Sequence, residues 1–216
     1  MENYTSQQLI DLENNYGAHN YHPIPVVLDR GEGALVWDVE GKQYYDFLSA
    51  YSAVNQGHCH PRIVNKAKRQ LEKLTLTSRA FYNSELGKYE KQITELFGFD
   101  KLLPMNSGAE AVETALKIAR KWGYEVKGIA NDEAIIVVCD GNFHGRTTTI
   151  ISFSNDEDAR KNFNPYTKGF VSVEYGNADT LAQIFAEYGD KVCGFLVEPI
   201  QGEAGVYVPP QGYLKE

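Results

Sequence analysis

Three short stretches hold the residue types from which a reaction centre could be assembled. Asn106-Ser107-Gly108-Ala109 runs straight into a helical pattern. The amides of Gly108 and Ala109 therefore stand at the positive end of a helix dipole, without intrahelical acceptors. Gly108 has no Cβ, so an anion can come close to the backbone. The spacing Ser107-x-x-Glu110 equally fits a capping box, in which hydroxyl and carboxylate satisfy those amides internally. The second stretch, Asp140-Gly141-Asn142-Phe143-His144-Gly145-Arg146, offers an aromatic ring, an imidazole and a planar guanidinium. The third, Glu198-Pro199-Ile200-Gln201-Gly202-Glu203-Ala204-Gly205, offers two carboxylates. Taken singly, Phe143 reads as a packing cap, Arg146 as half of a surface ion pair, and Glu198 as the end of a strand. Together they describe an anion site, a stacking ring and a carboxylate pair around one crevice.

The surrounding elements must place these stretches side by side. From 108 to 122, Ala109, Ala111, Val112, Ala115, Leu116, Ile118, Ala119 and Trp122 cover about half of a helix, and polar residues crowd the other side. Gly123 can take the left-handed position that ends it. Ala134–Cys139 is an unbroken apolar run, as expected of a strand buried on both faces of a parallel sheet. Phe170–Tyr175 and Val192–Val197 read as two further strands. Between them Asp179 caps a helix, with Leu181, Ile184, Phe185 and Tyr188 inward and Gly189 closing it. This alternation predicts an α/β domain, whose ligands gather at the carboxyl ends of the strands. The second and third stretches both begin at such ends.

Upstream, Thr5-x-x-Gln8 starts a short helix that Gly17 ends. Residues 25–48 read as a β-meander with strands Val26–Leu28, Leu35–Val39 and Gln43–Leu48. Leu35, Trp37 and Val39 share one face, and Arg30-Gly31-Glu32-Gly33 and Glu40-Gly41 supply the turns. Pro61 opens a helix with a buried stripe of Val64, Ala67, Leu71 and Leu74. Ser84 caps the next, with Leu86, Tyr89, Ile93 and Leu96 inward and Gly98 as its stop.

A net charge of −8 argues against nucleic acid or an anionic membrane as the main partner. No apolar run approaches the roughly 20 residues of a membrane span. The first 17 residues have neither a signal-peptide core nor an Arg-rich transit pattern, so a cytoplasmic protein is expected. Cys59, Cys139 and Cys193 do not form a disulfide framework, and the last two read as small core residues. His58-Cys59-His60 lacks the further ligands of a metal site. Three parallel strands leave open edges, the helix at 108–122 has apolar surface to spare, and Pro209-Pro210-Gln211-Gly212-Tyr213 introduces another helix. The chain is therefore expected to be the N-terminal portion of a longer protein.

NSGAEAVETALKIARKW, GNFHGRT and VEPIQGEAGV, in that order, resemble the fold-type I, class III aminotransferases that use pyridoxal 5′-phosphate. YGAHNYHPIPVVLDRGEG, WDVEGKQYYDFLSAYSAVNQGHCHP and KLTLTSRAFYN narrow the resemblance to the branch acting on ornithine, and it covers nearly the whole chain. It implies a small-domain segment in residues 1–50, connecting helices with a dimer-contact region in 51–98, and the first part of a large cofactor-binding α/β domain in 99–216. Thr75–Asn83 is the candidate for part of that dimer contact. Ser107, Gly108 and Ala109 would hold the cofactor phosphate, Phe143 would stack on its ring, and His144 and Glu198 would lie beside it. Arg146 would grip a substrate carboxylate, with Tyr21 assisting. Tyr51 would line the pocket and favour ornithine. Glu203 would pair with a second arginine.

The reaction implied is ornithine plus 2-oxoglutarate giving glutamate 5-semialdehyde plus glutamate, in a ping-pong scheme within arginine and proline metabolism. The enzyme would be a homodimer or larger homo-oligomer, with no metal, nucleic acid or membrane partner. The family's Schiff-base lysine, its ring-nitrogen aspartate and the second arginine would all lie beyond Glu216, leaving this stretch only half a site. Ala109 stands where relatives can carry a larger residue, a change that keeps the amide donor. Alternatives are a class III ω-aminotransferase acting on acetylornithine or 4-aminobutyrate, and a non-catalytic protein with the same fold.

Overall fold

Apolar alternation along one central strand organises the reaction-bearing part of the chain. In the computed structural model, which describes residues 4–203 and 205–216, the chain forms two compact units, one up to Lys91 and one from Gln92 on. Ala204 of the third stretch lies outside the described residues.

The first unit holds α1 (Ser6–Tyr16), the strands β1 (Leu28–Glu32), β2 (Leu35–Asp38) and β3 (Gln43–Tyr45), and α2 (Pro61–Lys73). Thr5 and Gln8 close the expected capping box on α1. The meander is present as an antiparallel β1-β2-β3 sheet, but its first strand is shifted from the expected Val26–Leu28. Gly33, at φ +58°, and Ala34 make the turn between Glu32 and Leu35, so Arg30 and Gly31 join the ladder opposite Trp37 and Val36. The inward face of β2 is also the opposite one: Val36 and Asp38 are buried. The Asp38 carboxylate accepts from Tyr44 Oη and Lys42 N, both at 2.7 Å, and Trp37 is covered by the Arg30 guanidinium 3.6 Å from its ring centroid.

The next helix, α3 (Leu86–Phe97), begins later than a Ser84 cap requires, and Asn83 caps it by accepting from Glu85 N and Leu86 N. Neither α2 nor α3 has a buried residue, and Leu71, Leu74, Tyr89 and Leu96 are exposed. An apolar stripe marks the face of a helix but not what covers it.

In the second unit, α4 (Gly108–Trp122) precedes β4 (Ile135–Cys139), a short helix α5 (Glu157–Arg160), β5 (Phe170–Val173), α6 (Ala178–Tyr188) and β6 (Val192–Leu196). The strands form a parallel sheet in the order β5-β4-β6. β4 is central and alternates. Ile136 and Val138 face a cluster with Leu116 of α4, Ile150, Phe153 and Cys193. Val137 and Cys139 face Val173 and Val192, closed over by Leu181, Ile184 and Tyr188 around α6. Helices thus cover both faces, and each large aliphatic side chain so enclosed contributes about 1.5–3 kcal/mol.

Four local expectations differ. Gly123 is right-handed (φ −56°), and the helix runs on as a π-turn over Gly123–Lys127 to Gly128, which is left-handed. Packing demands that glycine: a Cβ there would lie 2.7 Å from Cys193 Cβ. Asn177, not Asp179, caps α6 by accepting from Thr180 N, which leaves Asp179 in the first turn. Phe185 faces out. The helix expected after Pro209-Pro210 is a run of turns, because Tyr213 N and Lys215 N donate to Pro210 O and Gly212 O over a single turn each.

Candidate active site

Ser107 is extended (φ −142°, ψ 164°), and its hydroxyl accepts from Glu110 N at 3.2 Å. The other half of the capping box does not form: Glu110 Oε1 turns to Asn106 Nδ2 at 3.3 Å. The amides of Gly108 and Ala109 have no acceptor among the described residues. A Cβ at Gly108 would meet nothing within 4 Å, so open space lies before it. Two free donors, a helix dipole of 15 residues and room to approach them make a cradle for an anion.

The loop after β4 is seated against that cradle. Gly145 (φ +131°) approaches α4 so closely that a Cβ would lie 3.1 Å from Ala109 Cβ and 3.0 Å from Ile150 Cδ1. Thr147 Oγ1 donates to Glu113 Oε1 at 2.5 Å, fixing the far end of the loop to the same helix. At the near end, buried Asn142 donates from Nδ2 to Cys139 O at 2.6 Å and Phe153 O at 3.2 Å. The Asp140 carboxylate accepts from Asn155 Nδ2 and Ser172 Oγ. Between these anchors Phe143 remains 39% exposed, and the Arg146 guanidinium lies 5.2 Å from its ring centroid. His144 turns inward, with its ring 6.0 Å from that of Phe153. Its Nε2 is enclosed without a hydrogen-bond partner among the described residues, and burial pushes its pKa down, which favours the neutral ring.

The loop after β6 meets the same place. Glu198 Oε2 accepts from Phe143 N at 3.3 Å. Tyr175 Oη donates to the carbonyls of Glu198 and Pro199, each at 3.1 Å, and so holds the turn that carries the carboxylate. Burial raises the Glu198 pKa, the bond from Phe143 N and the nearby Gln201 amide oppose the rise, and the charge of Glu203 adds to it.

The structure therefore brings together Ser107, Gly108, Ala109, Phe143, Arg146 and Glu198, and places His144 on the inner side of the same loop; among the described residues, Glu203 is linked to them only through its charge on Glu198. Tyr21 and Tyr51 belong to the other unit and are exposed. Tyr51 lies in an unforeseen left-handed turn, Ser49–Ser52, with φ between 48° and 69°. No glycine marks that turn in sequence. Sequence reasoning also missed Gln201, Asn142 and the Thr147–Glu113 bond, which are polar residues whose partners lie far along the chain. Among the described residues no group of His, Cys, Asp and Glu could hold a metal ion, and no helix is long and apolar enough to cross a membrane.

Comparison with known proteins bears on the family and the fold. The aminotransferase class-III family model matches residues 16–216. The mitochondrial ornithine aminotransferase of Arabidopsis thaliana is 59% identical over 211 residues, 98% of this chain and 44% of that protein. The chain thus spans about half the length of the curated relatives it matches. The ornithine aminotransferase of Toxoplasma gondii, a structure described as having pyridoxal phosphate at partial occupancy in its active site, superposes with a TM-score of 0.94 at 48% identity, over 98% of this chain and 49% of its own. A structure named as the acetylornithine aminotransferase of Elizabethkingia anophelis is 65% identical, with a TM-score of 0.84 over 97% of this chain and 51% of its own. With the family model matched over residues 16–216 and a parallel α/β fold shared with these structures, this chain belongs to the class-III aminotransferases.

Proposed function

We propose that this chain supplies the phosphate cradle, the ring-stacking residue and one substrate arginine of an ornithine δ-aminotransferase. That enzyme transfers the δ-amino group of ornithine to 2-oxoglutarate and yields glutamate 5-semialdehyde and glutamate. The observation that carries this reading is the uncapped amide pair of Gly108 and Ala109, with the Phe143–Arg146 loop seated on it through Gly145.

The residues present fit pyridoxal 5′-phosphate. Two unpaired amides beside open space suit a dianionic phosphate, and a part-exposed phenyl ring suits a flat heteroaromatic. When bound, the cofactor supplies the conjugated electron sink that amino-group exchange needs. The chain's own residues bind and orient. Gly108 and Ala109 donate to the phosphate, and Ser107 keeps the turn open by capping Glu110 rather than its own neighbours. Phe143 covers one ring face, and its amide is steadied by Glu198. His144, neutral, completes the inner wall. Arg146 offers a planar fork to the α-carboxylate of ornithine, which sets the δ-amine at a fixed reach from the cofactor. The family resemblance further assigns Tyr21 to assist the carboxylate grip, Tyr51 to favour ornithine and Glu203 to engage a second arginine. The catalytic lysine comes from beyond residue 216, and the working form is a homodimer with Thr75–Asn83 in its contact. The Arabidopsis relative is named mitochondrial, and cell fractionation with the full-length protein tests the location.

A second reading, acetylornithine as amino donor, is favoured by the name of the Elizabethkingia structure. Full-length protein given 2-oxoglutarate and either ornithine or N-acetylornithine separates the two. Glutamate formation with ornithine at a kcat/KM at least tenfold higher is expected. Turnover of N-acetylornithine with ornithine ignored overturns the substrate assignment, and no transfer from any amine overturns the activity.

A further inference from the structure

Beside this site one buried polar side chain has no part in the reading above. Gln201 is 3% exposed although it sits on a loop. Its backbone is fixed by a two-way pairing with Tyr207, at 3.1 and 2.9 Å. Its Nε2 donates to Asp140 O, the first residue beyond β4, at 2.8 Å. On the same loop, the Glu198 carboxylate accepts from Phe143 N at 3.3 Å. Gly141 (φ +69°) passes so near that a Cβ there would touch Gln201 Oε1 at 3.4 Å.

The β4–β6 ladder ends at Val138 and Leu196, so backbone pairing no longer couples the two strands where their loops begin. A primary amide is suited to this gap. It donates an N–H across the gap and brings no charge beside Glu198. We propose that Gln201 is a positioning residue: its carboxamide, bonded to Asp140 O, locks the loop carrying Phe143 and Arg146 to the loop carrying Glu198 and Glu203. Its consequence for catalysis rests on the aminotransferase reading, whereas the lock itself does not.

Without the amide, the part-buried Asp140 carbonyl loses its donor from Gln201, and the first residue beyond β4 is no longer tied to the loop after β6.

Full-length protein carrying Gln201→Met, similar in volume but without donors, tests this. In cofactor-free protein, amide hydrogen exchange across residues 140–147 should quicken about tenfold or more, with α6 unchanged. The value of kcat/KM for ornithine should fall about 10- to 100-fold. Wild-type exchange across 140–147 overturns the proposal. Should Gln201→Met fail to fold, the isosteric Gln201→Glu decides. Activity near wild type when the introduced carboxyl is protonated, falling as it ionises, supports the lock; a loss independent of pH overturns it. An inactive wild-type protein would refute the aminotransferase reading, and the exchange measurement would still judge the lock.

Discussion

Arg146 and Glu198 do opposite electrostatic work within one small region. Arg146 is exposed on a loop that follows Gly145, with its guanidinium 5.2 Å from the Phe143 ring centroid. Arg146→Ala in the full-length enzyme should lower kcat/KM by at least about 100-fold for ornithine and for 2-oxoglutarate alike, because both carry a carboxylate. Arg146→Lys should recover only part, since a point charge does not reproduce a bidentate fork. Steady-state kinetics on both half-reactions check this, and unchanged constants remove Arg146 from the site. Glu198 is instead held by burial at a pKa above that of an ordinary glutamate. The folded state therefore binds its proton more tightly than the unfolded chain does. The stability this gives is fully present below the ordinary glutamate pKa and is lost as pH rises through the higher folded value. Glu198→Gln, a mimic of the protonated form, should raise the Tm of cofactor-free protein at pH 7.5 and leave it unchanged near pH 3.5. A lower Tm at both pH values would contradict the assignment. Residue types near the site were legible in sequence because glycine, arginine and paired carboxylates are rare together at strand ends. The locking residues were not, since Gln201, Asn142 and Glu113 acquire meaning only from partners 11 to 61 positions away.

The helices and parallel strands show where periodicity suffices and where it stops. β4 was readable because a strand buried on both faces must be apolar throughout, and its residues from Ile136 to Cys139 are at most 1% exposed. Caps were less readable, because which of two adjacent polar residues caps a helix depends on where its first turn closes. Asn83 and Asn177 take the role for which Ser84 and Asp179 compete. Gly123 is the sharpest case. As the residue after an amphipathic run it suggests a left-handed stop, yet it is right-handed and present because β6 passes against it. Gly123→Ala should therefore destabilise the protein by about 1–3 kcal/mol through overpacking against Cys193 and Ile129, where a left-handed stop would have lost stability through backbone strain instead. Denaturant unfolding of Gly123→Ala with and without Cys193→Gly separates the two. Rescue by the smaller neighbour supports packing, and no rescue contradicts it.

For the molecule as a whole, the order of elements decides what can meet. A central β4 flanked by β5 and β6, all parallel, sends the loops after β4 and β6 out at the same edge, and α4 returns to that edge with its N-terminus first. This is why three stretches separated by more than 30 residues each form one cradle. The strand-helix alternation made the arrangement predictable, whereas the meander's register and the left-handed turn at Ser49–Ser52 depend on close contacts that no pattern announces. The most direct measurement is a crystal structure of the full-length protein with pyridoxal 5′-phosphate bound. It should show phosphate oxygens within hydrogen-bonding distance of Gly108 N and Ala109 N, with the Phe143 ring against the cofactor face. A phosphate held elsewhere, or a Gly108 amide turned to a protein acceptor, would contradict it.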